Sequence, residues 1–336
     1  MTKLKLPKRY FRVGEKKVER PTTERKKIFD EFEKYQKRNY NLEPVVCPCR
    51  NDNSYLISNI DREGWEYPLV ICKTCGLIRA REYWDNKSLN HFYSNWYRKK
   101  YGVEERPNKF YNEQKERSML VWEFVNEYTS KLSKPYNIID IGGGIGGILD
   151  PFKKEANCYL FDYNRPFLKK ANEMGIKTIE GGIDKIKLID KPDFIILSHV
   201  LEHMPNINQE LKNLTKQLKI GTMVYIELPG IDSLKEGRRG FDFLGDILKP
   251  HVYYFSIGTL TNLLERYGFE CVKINSRIAS IFKYSGIKKP LENHHNTVSS
   301  LIRSAERRRK IGIMYFIKCL SSIIPKNIRI KLKKIL

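Results

Sequence analysis

The sequence predicts an α/β protein: a mostly parallel central sheet, a small cysteine-bearing module ahead of it, and basic helical extensions at the two ends. Three observations carry that expectation. Short runs rich in Ile, Val and Tyr alternate with helical stretches through the second half of the chain, the mark of βαβ units. Two close cysteine pairs stand 22 residues apart near the front. The net charge of +23 is concentrated at the termini.

At 336 residues the chain is long enough for two domains and extensions. Hydrophobic residues at 41% and aromatics at 12% exclude a disordered chain. No apolar run approaches the ~18 residues of a membrane span. The start, MTKLKLPKRYFRVGEKK, has no apolar signal region, and seven cysteines in a chain of this kind point to a reducing, cytoplasmic setting. Residues 1–46 hold 14 Lys/Arg against 7 Asp/Glu, and residues 280–336 hold 14 against 2. The stretch between them holds 34 against 30, so the middle is near-neutral and the basic charge is an accessory to it.

Read in order, residues 1–43 end in a charged amphipathic helix with Ile28, Phe29, Phe32 and Tyr35 as its apolar stripe. Residues 44–82 have strand and turn character. Cys47-Pro-Cys49 and Cys72-Lys-Thr-Cys75 within them have the spacing of a four-cysteine zinc ribbon, although the first pair is one residue shorter than usual. Gly76 suits the knuckle turn after the second pair. Four thiolates would leave the ion no open position, so this zinc is structural in expectation. Residues 83–133 form an aromatic linker and a helix, the helical pattern falling on 118–130. The strand-like runs follow: YNIIDIG, NCYLFDYN, KTIEGG, DFIILSHV, TMVYIELP and FECVKINS, with helices at 165–174, 207–219 and 257–267.

The sharpest motif is NIIDIGGGIGGIL, residues 137–149. A buried strand runs to Asp140, glycines follow, and a helix is expected to start. Gly142, Gly144 and Gly147 satisfy the dinucleotide pattern GxGxxG. Asp140, Gly142, Gly144 and Gly146 satisfy DxGxGxG. Either pattern expects an acid at the end of the next strand to grip ribose hydroxyls, and Asp162 stands there. The loop alone therefore points to a nucleoside cofactor.

Downstream segments separate the two patterns. From Lys134 to about Ser285 the chain resembles class I S-adenosylmethionine (SAM) methyltransferases in the order and spacing of its blocks: GIKTIEGGID, KPDFIILSHVLEHMPN and LKIGTMVYIELPG. Lys219-Ile220-Gly221-Thr222 departs from the family's usual turn. The resemblance implies a Rossmann-like, seven-stranded fold over 134–286. It also implies residue roles. Asp140 would lie near the methionine ammonium, and Gly142, Gly144 and Gly146 would let the backbone pass close to SAM. Asp162 would bind the ribose, with Tyr163 beside the adenine. Ile183 and Asp184 would flank the adenine; Ser198 and His199 would line the methionine end.

His199, Glu202 and His203 also match H-x-x-E-H, an inverted zinc-protease pattern. That pattern needs both imidazoles on one helical face, whereas His199 abuts the strand DFIIL, so Glu202 and His203 read instead as the border of an acceptor pocket. FDFLGDILKPHVYYFSIGTLTNLLERYGFE, with an insert over 230–256, resembles a block in bacterial methyltransferases of capsule, O-antigen and sugar biosynthesis. It makes His251 a candidate base for a sugar hydroxyl. Asp242 and Asp246 stand as weaker acceptor contacts, and Arg238 and Arg239 as partners for a phosphate or for solvent.

The expected activity is methyl transfer from SAM to a sugar or glycan-biosynthesis intermediate, free, nucleotide-linked or lipid-linked, at oxygen. Two other activities stay open: an RNA methyltransferase using the basic ends, and a non-catalytic scaffold or membrane adaptor. Residues 287–336 mix cations with Ile, Leu and Phe, which suits an anionic membrane surface at the inner face or a docked helix. The near-neutral middle argues against a nucleic-acid partner.

Overall fold

The structure is a computed structural model and describes residues 2–13, 23–97, 99 and 107–323. In chain order its strands are β1 (Leu42–Pro44), β2 (Ser54–Ile60), β3 (Glu66–Cys72), β4 (Ile78–Ala80), β5 (Glu82–Trp84), β6 (Tyr136–Ile141), β7 (Ala156–Asp162), β8 (Lys177–Glu180), β9 (Phe194–Ser198), β10 (Met223–Glu227), β11 (Tyr253–Tyr254), β12 (Phe269–Ile274) and β13 (Ala279–Tyr284). Its α-helices are α1 (Thr23–Asn39), α2 (Asn86–Asn95), α3 (Pro107–Thr129), α4 (Arg165–Glu173), α5 (Ile207–Thr215), α6 (Ile257–Glu265) and α7 (His295–Ile323).

Among the described residues the central sheet has the order β12-β13-β10-β9-β6-β7-β8. The five strands β10, β9, β6, β7 and β8 run parallel, and β13 is antiparallel to both β10 and β12. The sheet is buried on both faces, which explains why its inner strands read as continuous apolar runs. Ile139, Ile141, Phe161, Ile195 and Leu197 face one core; Ile138, Leu160, Phe194 and Ile196 face the other, which α3 covers with Val121 and Val125. The strand β13 has no counterpart among the six runs picked out of the sequence. Its middle residues Ser280, Ile281 and Phe282 are buried.

The second sheet, β11-β4-β3-β2, is antiparallel. Its edge strand β11 comes from the 230–256 insert, about 170 residues further along the chain, so the cysteine-bearing module and the insert share one sheet. The helix α1 packs on this module as its stripe predicts. Phe32 is fully buried among Trp65, Trp84, Phe92 and Trp96.

The first part of α7 packs on its own protein. Val298, Leu301, Ile302 and Ala305 are buried at helical spacing. One turn after Ile302, the buried Glu306 accepts a hydrogen bond from Tyr10 at 2.8 Å and pairs with Arg9, which also holds Asp242 at 2.6 Å. Residues 324–336, with Pro325, lie outside the described residues, as do the side chains from 313 onward and Tyr101 of the linker. No helix among the described residues is long and apolar enough to cross a membrane.

Candidate cofactor and acceptor site

The strand β6 continues to β7 on one side, while β9 and β10 lie on the other. Such a switch point opens a crevice at the carboxyl ends of the strands. The glycine loop leaves β6 there. Gly142, Gly144 and Gly146 adopt φ of 68°, 63° and 79°, values that side-chain-bearing residues rarely take. An expected α-helix does not follow: residues Gly147–Phe152 form a short 3-10 stretch with Pro151 inside it. Proline has no N–H to donate and disfavours a helical residue before it, which is why no regular helix starts here.

The loop is clamped from two sides. Gln114 on α3 donates to Gly143 O at 3.1 Å and accepts from Gly147 N–H at 2.9 Å. Asp162, at the end of β7, accepts from Gly144 N–H at 2.9 Å and from Asn164 N–H at 2.8 Å. The ribose candidate therefore also holds the loop in shape.

Asp140 is fully buried, and neither carboxylate oxygen has a hydrogen-bond partner. Burial pushes its carboxyl up to about 7, and Asp162 adds to this against the pull of Arg117. Arg117 on α3 bonds Ser198 Oγ and pairs with Glu227 Oε2 at 2.9 Å, while its Nε is buried without a partner. Ser198 in turn donates to Glu227 at 3.1 Å. A buried, unsatisfied carboxylate and an unsatisfied guanidinium N–H are costly alone. Together they match the ammonium and carboxylate of an amino acid. At the other end, Tyr163 is 74% exposed with its phenol close over Gly182, Ile183 is buried, and Asp184 accepts weakly from Gly182 N–H at 3.3 Å. An exposed ring beside a buried aliphatic suits an adenine. These residues fit SAM from its amino acid to its base.

The three acceptor-side candidates, Glu202, His203 and His251, lie beside His199, which was expected at the methionine end. His199 follows β9 at φ 57° and lies 3.2 Å from Glu202 through Nδ1. Glu202 and His203 sit in a 3-10 turn, Leu201–His203. His203 Nδ1 donates to Pro250 O at 2.9 Å, with Tyr93 OH at 3.2 Å, and its ring stands edge-on to His251 at 4.8 Å between centroids. Burial and the neighbouring imidazoles push His251 down to about 3, so it is a neutral ring. The imidazoles hold Glu202 below the usual carboxylate range despite its burial.

His251 is placed by the cysteine-bearing module. Tyr67 OH donates to His251 O at 2.6 Å, Tyr83 OH to Pro250 O at 3.0 Å, and Ala80 N–H to Val252 O at 2.8 Å. Cys47, Cys49, Cys72 and Cys75 converge in that module, their sulfurs 3.4 to 3.6 Å apart along the Cys75-Cys47-Cys49-Cys72 path. Four sulfurs at ~2.3 Å from one ion would lie at about this spacing. Gly76 closes the knuckle at φ 79°, and a Cβ there would strike the His294 and His295 backbone, at the start of α7.

The other charged candidates of the insert are used inside the fold. Arg238 and Arg239 pair with the buried Asp246 at 3.3 and 2.9 Å, and Asp242 holds Arg9. Their short sequence spacing shows neither partner. Gln114, Arg117, Glu227 and Tyr93 belong to the site although sequence reasoning did not single them out. Glu227 was the most readable, as the charged end of the run YIEL.

The methyltransferase-domain family model matches residues 111–274, the stretch from near the start of α3 to the end of β12. No curated protein matches the chain. Among solved structures, the plantazolicin methyltransferase BamL is 20% identical over 66% of this chain and 86% of its own, with a TM-score of 0.43. A SAM-dependent methyltransferase of Thermotoga maritima, titled a possible histamine N-methyltransferase, is 14% identical over 51% and 95%, with a TM-score of 0.37. The magnesium protoporphyrin IX methyltransferase of Synechocystis is 13% identical over 50% and 81%, at 0.38. With the family match, the strand order and the glycine loop together, the chain contains a SAM-dependent methyltransferase domain, and its reaction is methyl transfer.

Proposed function

We propose that this enzyme methylates an oxygen of a sugar or glycan-biosynthesis intermediate, carried free, on a nucleotide or on a lipid. The observation that carries this reading is the cluster of His199, His203 and His251 around the buried Glu202, next in the chain to Ser198. When bound, SAM supplies an electrophilic methyl on a sulfonium: a C–O bond forms, the C–S pair returns to sulfur, and the hydroxyl proton must leave. A hydroxyl is a weak nucleophile until that proton is taken up. Asp140 and Arg117 would hold the amino-acid end, Asp162 the ribose, and Tyr163, Ile183 and Asp184 the adenine. Water is kept out by α3 and by the insert, whose strand β11 is held by the module. His251, His203 and Glu202 face the acceptor hydroxyl and would assist loss of its proton, directly or through a group they hold.

The convergence of Cys47, Cys49, Cys72 and Cys75 supports a structural zinc whose work is to hold the sheet that presents His251. The anionic membrane surface proposed for residues 287–336 now rests on the part beyond Glu306, because Val298, Leu301, Ile302 and Ala305 are buried on this protein while Ile311 is exposed. A panel of nucleotide sugars and lipid-linked glycans, assayed for a one-methyl mass gain with SAM, tests the reading. Methylation of a hydroxyl supports it; transfer only to nitrogen, or only to RNA, removes it.

A further inference from the structure

Glu202 and His203 come from the turn after β9, and His251 lies 48 residues further along, in the insert. Each offers a ligand atom within 4.8 Å of the others. The two segments are tied by backbone, Val252 N–H donating to Glu202 O at 2.7 Å. Glu202 is 1% exposed, and its Oε2 has no hydrogen-bond partner. A buried carboxylate oxygen without a donor is expensive unless something positive meets it.

His203 is oriented for the same purpose. Its Nδ1 faces a carbonyl, which only accepts, so Nδ1 carries the proton and Nε2 presents a free lone pair 3.9 Å from Glu202 Oε1. Fixing an imidazole through Nδ1–H to a backbone carbonyl is the usual support of a metal-ligating histidine.

We propose that Glu202, His203 and His251 form a divalent-cation site of one carboxylate and two imidazoles, with open positions that take the acceptor oxygen. The proposal rests on the O-methylation reading and gives that site its chemistry. Metal bonds of about 2.0–2.2 Å place neighbouring ligand atoms ~3–4.4 Å apart, so small side-chain movements close the cluster on an ion. A mixed nitrogen and oxygen set suits Mn²⁺, Fe²⁺, Co²⁺ or Zn²⁺, and differs in kind from the four thiols of the module. Three protein ligands leave room for substrate, as catalytic sites require.

The cation lowers the acceptor hydroxyl's pKa. The proton leaves to solvent water at the open side of the site. The oxygen lone pair then bonds the methyl carbon as the C–S bond breaks and its pair stays on sulfur. This arrangement differs from the protease pattern that the same residues spell: His199 sits at a strand end with φ 57°, and the second imidazole ligand arrives from the insert.

The test uses the zinc-replete full chain and Mn²⁺ as the probe. Loss of the free-ion signal in electron paramagnetic resonance should show one Mn²⁺ bound per chain. Couplings to two imidazole nitrogens should appear in the wild-type protein, a readout that needs no variant. Glu202→Gln and His251→Ala should each weaken Mn²⁺ binding about 10- to 100-fold. S-adenosylhomocysteine affinity and circular dichroism, unchanged, would show these variants folded. No bound Mn²⁺, or binding without nitrogen couplings and equal in both variants, overturns the site. Full hydroxyl methylation by chelator-treated enzyme free of bound metal also overturns it, and leaves the O-methylation reading standing. Mn²⁺ bound as expected with no hydroxyl methylated by the metal-loaded enzyme overturns the O-methylation reading and leaves the site standing.

Discussion

The proposed cofactor side and the proposed acceptor side of this crevice are built in different ways. The cofactor side comes mostly from one continuous stretch: Asp140, the glycine loop, Asp162, Tyr163 and Ile183 follow one another along β6, β7 and β8. The acceptor side is assembled from distant pieces. Glu202 and His203 follow β9, His251 lies in the insert, Tyr93 lies on α2, and the insert is held by a sheet whose other strands precede residue 81. A local site depends on its own loop, whereas an assembled one depends on every segment that positions it. Damage to the module should therefore spare SAM binding and remove chemistry.

The largest expected effect is on the acceptor side. His251→Ala should lower kcat about 10²- to 10⁴-fold, the usual worth of a group that helps remove the acceptor's proton, with the SAM Kd within about twofold. Rapid-quench methylation beside calorimetry measures both, and an equal loss in SAM affinity would show that the two sides are not separable.

On the cofactor side, Asp140→Ala should weaken SAM binding about 100-fold, near 2.7 kcal/mol. Calorimetry reads it directly. Unchanged affinity would mean that the orphaned carboxylate meets no ammonium.

Cys72→Ser tests the dependence of one region on the other. Loss of the cluster should let the β2-β3-β4-β11 sheet shift and misplace His251, for about a 100-fold fall in kcat. S-adenosylhomocysteine should still protect the domain in a thermal melt. Full activity in a zinc-free Cys72→Ser protein would detach the module from the acceptor site.

The smallest effect is a pH dependence. Asp140 has a folded pKa of about 7, raised above its ordinary 3.8. In the cofactor-free protein its contribution to stability is therefore fully present below pH ~4 and is lost as pH rises through 7. A bound ammonium favours the ionised form. Affinity for S-adenosylhomocysteine should thus fall below pH 7, by at most tenfold per pH unit, and thermal protection should be greater at pH 8 than at pH 6. Asp140→Asn should flatten that dependence.

The glycine loop was readable because its residues are consecutive and each must satisfy the same backbone path. The apolar runs of β6, β7, β9 and β10 were readable because a sheet covered on both faces selects Ile, Val, Leu and Phe throughout. The amphipathic α1 was readable from its spacing. The strand β13 was not, because its apolar residues are diluted by Ser280, Lys283 and Tyr284 at the sheet's antiparallel end. Arg117 was hidden in a basic, aromatic stretch where any cation resembles any other. Its role exists only because α3 crosses the mouth of the crevice. Arg238, Arg239, Asp242 and Asp246 were visible as charges, but their partners are visible only in three dimensions.

The sequence by itself determined the α/β class, the glycine loop with Asp140 and Asp162, the paired cysteines, and the separation of a neutral middle from basic ends. Each of these is a short-range pattern that neighbouring residues enforce. Only the tertiary structure decided that β11 joins the cysteine-bearing sheet, that this sheet carries His251 to Glu202 and His203, that Arg117 meets Glu227 beside Asp140, and that the start of α7 is buried. Those pairings join segments tens to hundreds of residues apart. They are selected by burial and by the partners that buried charges must find, which no local spacing records.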